Sequence, residues 1–237
     1  MLFPRDPPQL AGKRFVCMES IRDVQIKGST GSEKVFVGIE RRIGPASDSE
    51  SAEGESRLRS SLLRAGSSDR TIEHRNIVFM RSKTPSTAAG DAAVPSTSTK
   101  ILKPTHKPTF SHTLLPTSQL LFRYSALTFN AHSIHLDKGY CREIEGHRNL
   151  LVHGPLSLTL MVEVLDRHLK EKFPQRTPRI AEIEYRNLAP LYAEEELKVC
   201  GRDMSLGESN GVGEFEVWVE GKEGGYAVRG KVTTTLD

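Results

Sequence analysis

One segment of the 237-residue chain, residues 150–170, has the length and apolar spacing of a long helix, and four strand-like segments follow it without a second such helix. Gly154 closes an extended approach, and Pro155 suits the first helical position, where a missing N–H costs nothing. Leu158, Leu160, Met161, Val164 and Leu165 form an apolar face. Leu156 and Val162 lie off that face, so the helix is expected to be buried nearly all round. The strands fall at residues 180–185, 197–202, 213–220 and 226–235, separated by Gly-rich or acidic turns. Ahead of them, residues 109–114 read as a strand, and Pro116 and Thr117 open a helix over 118–128. One long apolar helix among mostly antiparallel strands predicts an α+β fold, with the sheet wrapped around the helix.

The first hundred residues have a different texture. Three β-branched or aromatic runs, 15–26, 34–42 and 71–80, read as strands with no helix-length apolar pattern beside them. Three such strands leave one face and their edges uncovered. Between them, residues 45–68 are rich in Ser, Glu, Gly and Ala, and residues 83–100 run through TPSTAAGDAAVPSTSTK. Neither composition buries enough apolar surface to offset the entropy of ordering, and the chain's hydrophobic content of 37% fits a partly unstructured molecule. The expected division is a partial amino-terminal half over 1–82 with a disordered insert at about 45–68, a linker over 83–103, and a folded domain over 104–237.

Several function classes are disfavoured by the same sequence. The 33 basic and 30 acidic residues leave +3 with no cationic stripe to track phosphates, so nucleic acid is not an expected partner. Cys17, Cys141 and Cys200 are odd in number and lack CxxC spacing, which suggests neither a disulfide framework nor a zinc knuckle. No apolar stretch approaches the roughly 20 residues that span a bilayer, so no membrane span is expected. The first 13 residues contain three prolines and carry neither a signal-peptide core nor an Arg-rich amphipathic presequence.

Three histidines gather near the start of the long helix: His132 and His135 in TFNAHSIHLD, and His153 in LVHGPL. A helix start offers N–H groups without internal partners and a partial positive charge, and both stabilise an acyl oxygen that gains negative charge. Gly154 is placed to present such an N–H. An imidazole facing the same point would complete a site for proton transfer beside a thioester carbonyl.

FRYSALTFNAHSIHLD followed by EGHRNLLVHGPL resembles the paired signature of the MaoC-like hydratases, and within them the fungal hydroxyacyl-thioester dehydratase type 2 and mesaconyl-CoA hydratase-like branch. YRNLAPLY, EVWVEG and GKVTT extend the resemblance over residues 108–237, and the first three strands resemble the amino-terminal half of members with two hot-dog units. The resemblance implies a hot-dog fold, here with an incomplete amino-terminal half, and hydro-lyase activity on an acyl-CoA or acyl-carrier-protein thioester with no dissociable cofactor. It implies a site formed where hot-dog units meet, in a homodimer or within the chain, and a mitochondrial location, with the cytoplasm as the alternative. Carried over residue by residue, it makes His135 the proton-transfer group, Gly154 the carbonyl donor and Asn130 the water-orienting residue, where many MaoC-like enzymes have Asp. His132, Asp137, His153 and Pro155 take supporting or substrate-binding places. Ser133 and Leu136 depart from the branch, which usually has Arg and Tyr there.

Plainer readings stand beside these. His135 could be a buried histidine bonded to backbone, His132 a spacer, and His153 a cap or packing residue. A metal site is not expected, because the HxxH spacing lies in a loop and no acid follows at a recognised interval. A catalytically degenerate hot-dog protein that binds thioesters or a partner without turnover is the main alternative. Thioester hydrolysis ranks last, with Asp137 the nearest carboxylate to activate water.

Overall fold

The structure is a computed structural model and describes residues 1–4, 12, 14–46, 52–64, 70–93, 101–206 and 212–236. The chain divides into two compact units, Met1–Arg81 with Ala181–Ile183, and Ser82–Ile180 with Glu184–Asp237.

In the first unit, β1 (Phe15–Lys27), β2 (Lys34–Pro45) and β3 (Thr71–Met80) form an antiparallel sheet in the order β1-β2-β3. Gly28, with φ of 112°, starts the β1–β2 turn, where a Cβ would lie 2.7 Å from the Ser32 carbonyl oxygen. Val24, Val37 and Ile77 stand in register across the three strands, as do Ile26, Val35 and Phe79. Residues directly opposite share a face, so these six form one apolar ladder; Val24, Ile26 and Phe79 are each more than half exposed. Helix α1 (Ala52–Leu63) corrects the expectation of disorder over 45–68. Its Leu62 is buried, lying 3.1 Å from where a Gly44 Cβ would stand, and the Leu62 carbonyl accepts from Arg42 Nη1 at 3.0 Å. Residues 47–51 and 65–68 of that insert lie outside the described residues.

The second unit begins at Ser82 and takes in the stretch expected to be a linker over 83–103. Helix α2 (Pro85–Ala93) buries Ala88 completely, against Gly146. Its low-complexity composition hid this helix, although alanine has high helix propensity and one small buried residue suffices for close packing. Residues 94–100 lie outside the described set, while Tyr226 N–H donates to the Leu102 carbonyl at 2.8 Å.

The remaining elements are β4 (Phe110–Leu114), α3 (Ser118–Thr128), α4 (Lys138–Tyr140) continuing as a π-helical turn (Cys141–Glu145), α5 (Gly154–Lys172), β5 (Pro178–Asn187), β6 (Leu197–Leu206), β7 (Val212–Glu220) and β8 (Tyr226–Leu236). The sheet runs in the order β4-β6-β7-β8-β5, and α5 packs against β4, β6 and β7. Gly201 of β6 leaves room for the Phe110 ring. Phe110 stacks on His168 of α5 at 4.1 Å, and His168 meets Phe215 of β7 edge to face. Central strand β7 is buried on both faces from Phe215 to Val219. Its Glu216 is held by Arg202 and Arg229, each at 2.6 Å, and its Trp218 clusters with Cys200 and Tyr226. Helix α5 is not buried all round. Leu156, Ser157, Met161, Val164, Leu165 and Leu169 are buried, whereas Pro155, Thr159, Glu163 and Arg167 form an exposed stripe. The apolar residues off the main face widened the predicted face, but the i, i+4 polar series sets the actual boundary.

Candidate active site

A 3-10 turn, Ser133–His135, carries the central histidine. Leu151 N–H and the Cys141 thiol both donate to the Ile134 carbonyl, at 2.9 and 3.0 Å, tying the turn to the approach of α5. His135 is 7% exposed, and its Nδ1 lies 2.8 Å from the Leu151 carbonyl oxygen. A carbonyl oxygen only accepts, so Nδ1 carries the hydrogen and Nε2 holds the lone pair. Burial lowers the His135 pKa, against the opposing Leu151 hydrogen bond, and electrostatic interaction with the His132 ring acts in the same direction as burial.

His153 is fully buried at the N-cap of α5 and stacks on His135 with ring centroids 3.6 Å apart and planes 20° from parallel. Its Nε2 lies 2.9 Å from Ser125 Oγ of α3, the Tyr124 ring meets it edge to face at 5.0 Å, and its Nδ1 has no hydrogen-bond partner among the described residues. Burial first, and His135 second, push its pKa down to about 4. At neutral pH both rings are therefore uncharged, and one imidazole presents a fixed basic nitrogen.

Gly154 is the first residue of α5, and its N–H has no intrahelical acceptor by position. A Cβ there would lie 3.1 Å from Asn187 Nδ2. Exposed Pro155 follows and fixes the backbone of the first turn. His135, His153 and Gly154 are thus brought together.

The other sequence-selected residues are placed around them. Asn130 follows α3, whose C-cap Phe129 is left-handed at φ of 53°, and Asn130 Oδ1 accepts the His132 N–H at 3.2 Å. His132 Nδ1 accepts the Ile134 N–H at 3.2 Å, and its ring centroid is 6.2 Å from that of His135. Asp137 Oδ1 caps α4 by accepting the Tyr140 N–H at 3.1 Å, which occupies the carboxylate in local structure. Among the described residues, no group of three or more His, Cys, Asp or Glu side chains converges as a metal site. Sequence reasoning missed Ser125 and Asn187. Ser125 sits among ordinary helix residues 28 positions from His153, and Asn187 lies in YRNLAPLY with no motif of its own.

A cavity of about 190 Å³ bounded by residues including Arg148, Leu188, Tyr192 and Lys222 is separate from these histidines. Arg148 is held by Glu195 through two hydrogen bonds, at 2.7 and 2.6 Å, and lies 3.9 Å over the Tyr192 ring.

A family model described as hydroxyacyl-thioester dehydratase type 2 matches residues 3–193. The chain is 40% identical over 101 residues to a mesaconyl-C(4)-CoA hydratase of Chloroflexus aurantiacus, covering 43% of this chain and 33% of the relative. It is 36% identical over 101 residues to the mitochondrial hydroxyacyl-thioester dehydratase type 2 of Schizosaccharomyces pombe, covering 43% and 32%. The chain spans about a third of the length of these relatives. Among solved structures, a MaoC-like dehydratase matches 99% of this chain and 73% of its own, with TM-score 0.63 and 14% identity. The full-length peroxisomal multifunctional enzyme type 2 of Drosophila melanogaster matches 100% of this chain and 36% of its own, with TM-score 0.61 and 14% identity. At that identity the likeness establishes the hot-dog fold alone.

Proposed function

Since the chain belongs to the hydroxyacyl-thioester dehydratase type 2 family, we propose that it interconverts 3-hydroxyacyl and trans-2-enoyl thioesters by moving one molecule of water. The observation that carries this reading is the fixed tautomer of His135. Its Nδ1–H is engaged by the Leu151 carbonyl, and the ring is stacked beside the residue that opens α5. In hydration, His135 Nε2 takes a proton from water as the water oxygen bonds to Cβ, and electron density moves to the carbonyl oxygen. The Gly154 N–H and the positive end of α5 stabilise that oxygen. The imidazolium then returns the proton to Cα, so hydroxide and proton have both been added and His135 is neutral again; dehydration is the reverse. Asn130, whose Oδ1 is engaged by the His132 N–H, orients the water by donating from Nδ2 to its oxygen. An amide transfers no proton at accessible pH, so a single histidine carries both proton steps.

The acyl group is carried on CoA or an acyl carrier protein, the active form pairs hot-dog units in a homodimer or within a chain, and the site of action is the mitochondrion. The mitochondrial name of the Schizosaccharomyces pombe relative supports the location. Loss of enoyl-thioester absorbance on incubation with crotonyl-CoA, without release of free thiol and abolished in His135→Ala, is the expected result. Thiol release would identify hydrolysis instead. Tight thioester binding with no turnover on short, long or branched enoyl-CoAs would select a non-catalytic binding protein.

A further inference from the structure

Asn187 lies within reach of Gly154, yet no step above uses it. It is the last residue of β5. Just beyond it, the Leu188 and Ala189 N–H groups both donate to the Ala227 carbonyl, at 2.8 and 3.1 Å, which fixes the backbone next to its Cα. Its side chain is exposed and makes no hydrogen bond to another described residue. The carboxamide is nevertheless packed onto the start of α5. Nδ2 lies 3.1 Å, and Cγ 3.8 Å, from the position a Gly154 Cβ would take, so the approach depends on glycine at that place. The adjoining His153 supplies an independent sign that this helix start faces a ligand, because its fully buried Nδ1 has no partner among the described residues. A buried unpartnered polar atom is uncommon and calls for an explanation of this kind.

We propose that the Asn187 Nδ2 group is a second hydrogen-bond donor to the substrate's thioester carbonyl, acting beside the Gly154 N–H. The inference rests on the hydratase reading and deepens it. One amide donor comes from a helix start and one from a strand end, so the carbonyl oxygen is oriented from two elements of the fold. A short two-torsion side chain loses little conformational freedom when it binds. Donors set in advance around an oxygen that gains charge lower the barrier more than they tighten ground-state binding.

The experiment compares wild type, Asn187→Asp and Asn187→Ala. Aspartate keeps the shape and lacks the donor, and its charge is favourable at a helix start, so it remains a folded comparator. Crotonyl-CoA hydration gives kcat and KM. In a His135→Ala background, bound 2,4-hexadienoyl-CoA reports carbonyl polarisation through displacement of its absorption band to longer wavelength. Both substitutions should lower kcat roughly ten- to a hundredfold, change KM less than about threefold, and remove most of the band displacement. Full kcat and an unaltered band in Asn187→Asp would overturn the donor role while leaving the hydratase reading intact. A wild type that turns over no enoyl thioester, yet displaces the band in an Asn187-dependent way, would sink the hydratase reading and retain the donor. Absence of any displacement in the Asn187-intact protein would reject the donor as well.

Discussion

Ser125→Ala removes one oxygen from the site and leaves the fully buried His153 ring with both nitrogens unpartnered, since among the described residues Nδ1 already lacks a partner and Nε2 meets only Ser125 Oγ, at 2.9 Å. A buried polar group stripped of its partner costs about 1–3 kcal/mol. The expected loss is therefore about 2 kcal/mol, or roughly 4–8 °C in melting temperature for a folded unit of this size. His153→Phe keeps an aromatic ring to stack on His135 and has no hydrogen bond to lose. In that background Ser125→Ala should cost little, giving a coupling of about 1–2 kcal/mol between the two positions. The chain's single tryptophan, Trp218, is fully buried in β7 of the same unit. Its fluorescence during urea denaturation follows this unit without mixing in the other. Costs that add to within about 0.5 kcal/mol across the four proteins would refute the claim that Ser125 and His153 form one energetic unit. A coupled pair also restrains the ring stacked on His135, so Ser125→Ala should lower kcat about tenfold while His135 remains present.

His135→Gln should lower kcat for crotonyl-CoA hydration by 100-fold or more, the scale of a lost general acid–base group, and retained activity would remove His135 from the mechanism. Burial lowers the His135 pKa, so the rate should fall on the acid side only below the ordinary histidine value of ~6.5; an acid limb at or above that value in kcat/KM would contradict the buried neutral base. His153 is protonated in the folded protein only near a pKa of about 4, whereas the unfolded chain takes that proton near ~6.5. Stability should therefore decline as pH falls through this window, by about 3 kcal/mol in total, and urea denaturation of His153→Phe at pH 7 and pH 4 should lack that component. Gly154→Ala forces the Asn187 amide to shift by a few tenths of an ångström, because the new Cβ would stand 3.1 Å from Nδ2; Trp218 denaturation should change by less than about 1 kcal/mol while kcat falls, and unchanged kcat would argue against close packing at this point.

Local patterns determined much of what the sequence alone could tell. Thr117 and Pro155 set helix starts through backbone chemistry that operates within a few residues, and observed α3 coincides with the predicted residues 118–128. β-branched and aromatic runs bounded by turn residues located the eight strands of the described residues, because such side chains fit a pleated, packed layer. TFNAHSIHLD and LVHGPL similarly selected His135 and Gly154. Other features depended on neighbours remote in sequence. Ala-rich α2 became visible only through the close packing of Ala88 on Gly146, some 58 positions away, and the exposed stripe of α5 depended on which sheet residues met the helix. Tertiary structure also decided what the selected residues can do. It stacked His153 on His135 and directed Nδ1 of His135 to the Leu151 carbonyl, committed Asp137 to a helix cap, and set Asn187 over Gly154. Side-chain identity gives an imidazole its chemistry, but its tautomer, its pKa and the atom that it faces come from burial and hydrogen-bond partners that only the folded chain assembles.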